Sequence, residues 1–134
     1  MEDQNKCFKV DPEFEREERQ LVQKTADLLA QEFCPAESIN IIQDEHLEKT
    51  GQLAREFQRS LGERRLHFIG LNPKAVKKAL ELEKQTRGDG IWSLAWTLSH
   101  ELGHAVWGIS EKLANEYAER ILKRVEKKIP GWKA

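Results

Sequence analysis

The sequence predicts an α+β fold, in which a long first helix backs a small, mostly antiparallel sheet of two to four strands and two further helices carry the chemistry. Three observations predict it. Apolar residues recur at helical spacing near the start, short β-branched runs occupy the middle, and helical spacing returns for the remainder of the chain. A chain of 134 residues suits a single domain with a modest core, with residues 1–10 and 130–134 reading as flexible tails.

Asp11-Pro12 reads as a cap followed by the residue best suited to a first helical position. Phe14, Leu21, Val22, Leu28, Leu29 and Phe33 then form one apolar stripe on an otherwise Glu- and Arg-rich helix, which Pro35 stops. Ser38 to Gln43 is short and β-branched, as a strand requires. Asp44 to Ser60 is open between two readings. Leu47, Leu53, Phe57 and Leu61 suit a helix interrupted by Gly51, whereas Leu53, Arg55 and Phe57 alternate as a strand would. Leu66 to Leu71 reads as a strand behind a turn at Leu61-Gly62-Glu63-Arg64, so an extended preceding segment makes a hairpin. Asn72-Pro73 opens a helix running to about Thr86. Gly88-Asp89-Gly90 then forms a turn into a helix whose buried stripe is Ile91, Leu94, Ala95, Leu98, Leu102 and Ala105, ending near Gly108. Trp92 reads as core, while Trp96 and Trp107 lie one turn from the two histidines of that helix. Ser110 caps a last helix with Glu111 in its first turn and Leu113, Ala114, Tyr117, Ala118, Ile121, Leu122 and Val125 inward, and Pro130-Gly131 ends it.

Composition excludes several classes. Lys plus Arg number 22 against 23 Asp plus Glu, and no basic tract occurs, so neither nucleic acid nor an anionic membrane is an expected partner. Cys7 and Cys34 stand far apart outside any C-x-x-C pair, which predicts free thiols, no zinc knuckle and a reducing, cytoplasmic setting. Met1 to Lys6 is polar and no apolar run reaches the length of a membrane span, so the chain reads as soluble and unexported.

The chemistry concentrates in Ser99-His100-Glu101-Leu102-Gly103-His104. Residues four apart stack on one helical face, so one divalent ion can bridge His100 and His104 while Glu101 points beside it as a general base. His67, alternating with apolar neighbours, and His46, set among acids, have no partner at metal spacing. The H-E-x-x-H pattern resembles the zinc peptidases called zincins, and on that resemblance His100 and His104 are ligands of Zn2+. Glu111-Lys112-Leu113-Ala114-Asn115-Glu116-Tyr117-Ala118 resembles the E-x-x-A-N/D-x-F/Y-A signature that follows the zinc helix in ImmA/IrrE-type gluzincins, and the length resembles that of the minigluzincins, compact relatives known as latent enzymes. The resemblance implies a minimal zincin-like domain with a third ligand on the glutamate helix.

Register selects that ligand. A chain turning back from Ser110 brings the first turn of the last helix beside His104, which favours Glu111; Asn115 shares its face and is placed to orient His100 as an outer partner. Glu116 points away, while Glu119 shares the face but stands two turns along, which makes it the runner-up. The expected function is therefore a zinc-dependent metalloendopeptidase acting on a peptide or protein substrate, with Phe68, Ile69 and Gly70 as an exposed-edge cradle for an extended peptide. The alternative is a zinc-binding regulatory protein of ImmA type with little proteolytic activity. Cys7 or Trp132 would serve to plug the cleft in a latent form.

Overall fold

A computed structural model describes residues 7–34 and 38–131. In chain order these form β1 (Phe8–Val10), α1 (Arg16–Ala30), β2 (Ile39–Gln43), a single helical turn α2 (Leu47–Thr50), β3 (Ala54–Leu61), β4 (Arg64–Leu71), α3 (Pro73–Gln85), α4 (Asp89–Trp107) and α5 (Glu111–Val125). The class is α+β. The strand order is β1-β2-β4-β3, with helix α1 carrying the chain from β1 back to lie parallel beside it as β2.

The sheet is mixed, which corrects the mostly antiparallel expectation. Both β1–β2 and β2–β4 are parallel, and only the β3–β4 hairpin is antiparallel. Only the hairpin has a local signal, its two-residue turn at Gly62-Glu63; a parallel pair needs a crossover that local periodicity does not announce. The open segment 44–60 contains both readings, one turn of helix and then a strand. Asn72 holds them together, its side chain donating to the carbonyls of Leu47 at 3.1 Å and Gln52 at 3.0 Å while its Oδ1 accepts from Lys74 N–H at 2.9 Å to cap α3.

Two N-terminal expectations are corrected. Residues 8–10 are a buried-edge strand and not part of a flexible tail: Phe8 and Val10 point inward at 1% and 4% exposure. Likewise Ile129 is buried, and Gly131 packs so closely on Arg87 that a Cβ there would meet its carbonyl, so 130–131 are also held. Asp11-Pro12 does not start α1, which begins at Arg16. Asp11 N–H still bonds to Ile41 C=O at 2.9 Å, and its carboxylate accepts from Glu13 N–H at 2.9 Å, so the side chain closes a turn off the strand instead of capping a helix.

Cys7 and Cys34 form a disulfide, with Cα atoms 5.0 Å apart, tying β1 to the segment beyond α1. The free-thiol expectation is thereby overturned, and with it the ground for a reducing compartment and the use of Cys7 as a zinc-capping plug. Sequence distance misleads here, because the βα unit folds the two ends together. No helix among the described residues is long and apolar enough to cross a membrane.

Helix α4 lies at the centre, packed on α1, α3, α5 and β3. Of its predicted stripe, Ile91, Leu94, Ala95, Leu98 and Leu102 are buried, and Ala105, near the end of the helix, is only partly so. Two glycines let neighbouring helices approach: a Cβ on Gly90 would meet the Ala79 carbonyl of α3, and one on Gly103 would lie 2.7 Å from Ala114 Cα of α5. The first N–H groups of α4 are capped from outside the helix, since Glu83 of α3 accepts from Gly88 N–H at 2.8 Å and from Ile91 N–H at 3.0 Å. Trp92, expected in the core, is 39% exposed, and Leu113 on α5 is equally so.

Candidate metal centre

With Leu98 and Leu102 turned into the core, His100 and His104 occupy the flank of α4 one turn apart. Their Nε2 atoms are 3.1 Å from each other, with the rings edge to face. Gly108 ends α4 with φ 75°, and its carbonyl oxygen lies 2.7 Å from His104 Nδ1. A carbonyl only accepts, so Nδ1 carries the proton, and in the neutral ring Nε2 is left with a lone pair. Backbone geometry thus fixes the tautomer that a metal ligand needs.

Ser110 caps α5 by accepting Leu113 N–H at 3.2 Å, which sets Glu111 as the first residue of the helix. Its carboxylate spans the histidine pair, with Oε1 3.2 Å from His100 Nε2 and Oε2 2.8 Å from His104 Nε2. The close approach of α5 at Gly103 is what brings Glu111 within reach. His100, His104 and Glu111 together could hold a metal ion, their ligand atoms all lying within 4.8 Å of one another. Two imidazole nitrogens and a carboxylate form an acceptor-rich cluster that a cation between them would stabilise. Donors bound about 2.0–2.1 Å from one tetrahedral ion are roughly 3.3 Å apart, so the observed spacing needs only slight opening.

Glu101, at 7% exposure, lies behind this cluster. Burial pushes its pKa up to about 7; the His104 ring pulls it down, the Glu111 and Glu56 carboxylates raise it, and the Glu56 backbone N–H directed at its carboxylate lowers it. That N–H belongs to the edge of β3 not used by β4, so the open edge of the sheet faces the site.

A cleft of about 580 Å³ runs over the cluster, with Trp96, Thr97, His100, Glu101 and His104 of α4 as its floor. Gln52 to Glu56 line it from the β3 side, and Gly108, Ile109, Glu111 and Asn115 from the α4–α5 corner. Trp96 stands beside His100, ring centres 6.1 Å apart, whereas Trp107 is half exposed and outside the cleft lining.

The structure brings together His100, Glu101, His104 and Glu111, and leaves Glu116 and Glu119 exposed elsewhere on α5. Asn115 lines the cleft one turn beyond Glu111, but among the described residues no hydrogen bond joins it to His100. The ring that is oriented by a partner is His104, through Gly108. Phe68, Ile69 and Gly70 are displaced from the cradle role: β4 is an interior strand, paired on both edges by β2 and β3. The open edge is β3, which the ambiguity of segment 44–60 concealed. His46 is exposed beside α2, and His67 lies on β4 paired with Ile39 and Gln58; neither joins the cluster. Trp132 falls outside the described residues, and Gly131 before it packs on Arg87, at the opposite end of α4 from His100. Gly103, Gly108 and the Glu56 N–H shape the cluster in ways that residue type alone did not flag. The glycine inside the motif and the Gly-Ile-Ser link between two helices are the signals that point to the first two.

Comparison with known protein families, characterised proteins and solved structures finds no match to this chain.

Proposed function

We propose that the protein is a zinc-dependent peptidase whose metal is held by His100, His104 and Glu111. The observation that carries the reading is the convergence of both Nε2 atoms and the Glu111 carboxylate beside a buried Glu101. The donor set of two nitrogens and one oxygen, with Nε2 of His104 freed by the Gly108 bond, suits zinc in an open catalytic site. Bound there, the ion supplies Lewis acidity, lowering the pKa of water and polarising a carbonyl.

Glu101 supplies the proton transfer. Its carboxylate, next to His100 in the chain and lining the cleft, is placed to take a proton from water and return it to a leaving amine. The unpaired edge of β3, aimed at the site by the Glu56 N–H, supports the binding of an extended peptide as an added strand, with backbone groups holding any sequence in register.

The test combines metal analysis with hydrolysis of a peptide library. The parent is expected to bind one zinc per chain, and Glu101→Gln to keep it while losing about 10²–10⁴-fold in rate, the range of general acid–base catalysis. Glu111→Ala is expected to weaken zinc binding by more than the ~10–100-fold typical of an outer-shell partner. Hydrolysis undiminished in Glu101→Gln would overturn the reading; stoichiometric zinc without any hydrolysis would return the regulatory alternative.

A further inference from the structure

Strand alternation sorts the sheet into two faces of opposite character. One carries Phe8, Val10, Ile39, Ile41, Ile69 and Leu71, none more than 4% exposed, and takes the helices. The other is open. On it Lys9, Asn40, Phe68 and Phe57 form one row across all four strands, each the register partner of the next, and all four are exposed or half-buried. Parallel strands such as β1, β2 and β4 are usually covered on both faces, and here the second cover is missing among the described residues.

Phe57 and Phe68 stack with ring centres 5.0 Å apart and planes 9° from parallel, and the guanidiniums of Arg55 and Arg59 lie over Phe57 at 5.0 Å and 5.9 Å. These arginines stand two residues before and after Phe57, so the pleat puts all three on one face. Arg64 shares that face, one diagonal step from Arg59 across the hairpin. Carboxylates do not balance these cations. Glu56 points to the helix side with Ala54, and Asp44, which lies against Gly70, is paired with Arg55 at 2.6 Å. Arg59, Arg64 and Lys9 are left without an acidic partner among the described residues. Leu66, half-buried, and Leu61, 63% exposed, add apolar area beside the rings. The nearly balanced charge of the whole chain hides this face because it averages over both sides of the sheet.

We propose that the open face of the sheet docks an acidic, partly apolar segment of another protein, its carboxylates pairing with Arg59 and Arg64 and its apolar side chains covering Phe57 and Phe68. Charge complementarity chooses the occupant. A second copy of this chain would set the same unpaired cations against one another. A nucleic-acid base would need an open ring to stack on, whereas Phe57 already has Phe68 and two guanidiniums against it. The proposal does not depend on the metal reading, because the residue of β3 nearest Glu101 is Glu56, which points to the opposite face.

The test is fluorescence anisotropy on the purified full chain in low salt, with and without a chelator. Four labelled probes are used: a peptide alternating Glu and Leu, its Lys and Leu and its Glu and Ser counterparts, and a single strand of oligothymidine. The Glu and Leu peptide is expected to bind saturably under both conditions, and the Glu and Ser peptide several-fold more weakly. The double variant Arg59→Glu with Arg64→Glu is expected to bind the Glu and Leu peptide about 10-fold more weakly and to gain the Lys and Leu peptide, a gain that also shows the variant to be folded. Absence of saturable binding, affinity unmoved by the charge reversal, or equal binding of the Leu and Ser peptides overturns the proposal. Tighter binding of oligothymidine than of the acidic peptide, lost on the same reversal, overturns it as well and assigns the face to nucleic acid.

Discussion

At Glu101 burial is opposed by the His104 ring and the Glu56 N–H and reinforced by two acidic neighbours. Desolvation and the neighbouring acids raise its pKa from the ordinary 4.5 to about 7, so the folded metal-free protein holds a proton that the unfolded chain has released. Stability is therefore undiminished below about pH 4.5, declines as the pH rises, and carries the full penalty above about pH 7, at most about 3 kcal/mol for such a span. Glu101→Gln removes the ionisation and keeps an acceptor for the Glu56 N–H. In urea denaturation of the metal-free proteins, Glu101→Gln should match the parent near pH 4.5 and exceed it by up to about 3 kcal/mol at pH 8. Stability curves that run parallel across this range would show that burial is not what shifts the group. The place of Glu101 beside the histidine pair was readable from the motif, but its proton affinity was not, because Glu56 and Glu111 reach it only in the folded chain.

Between elements, the crossing of α4 and α5 governs the centre. Gly103 lies against Ala114, where a methyl group would stand 2.7 Å from Cα and 2.8 Å from the carbonyl oxygen, backbone atoms that cannot rotate away. Gly103→Ala should cost about 1–3 kcal/mol, as overpacking does, despite alanine being the better helix former. The displaced helix is the one that carries Glu111, so zinc affinity should fall as well, although residue 103 is no ligand. Thermal denaturation with zinc titration checks both; a variant stabilised by the alanine and unchanged in zinc binding would show that α5 can shift without loss. The ends of these helices were legible in Gly88, Gly108 and Ser110, since capping is local chemistry. The cap that Glu83 provides for α4 was not, since it crosses from another helix.

Across the whole molecule, the Cys7–Cys34 disulfide closes a loop over 27 positions of sequence at the β1 side of the sheet, while the candidate metal site of His100, His104 and Glu111 sits beyond β3 at the other. Closing a loop of this size restricts the unfolded chain by about 3.5 kcal/mol on the chain-entropy account. Reduction should lower the melting temperature by on the order of 10 °C. Because strands β2 and β4 separate the bridge from the centre, zinc affinity at 25 °C should stay within about twofold of the oxidised protein. A loss of zinc on reduction would instead show that the two ends of the sheet are coupled.

The sequence by itself determined what depends on neighbours a few residues away: the α+β class, most helix boundaries, the pairing of His100 with His104 on one face, and the preference for Glu111 over Glu116 and Glu119. About 100° of rotation per helical residue suffices for these. Tertiary structure decided the parallel pairing of β1, β2 and β4, the choice of β3 as the open edge in place of Phe68, Ile69 and Gly70, and the union of Cys7 with Cys34. It also set the proton affinity of Glu101 and held Ile109 in solvent. Each of these follows from which segments meet across the fold, and that is settled by the joint burial of apolar surface over the whole chain, which the spacing of residues within one segment does not encode.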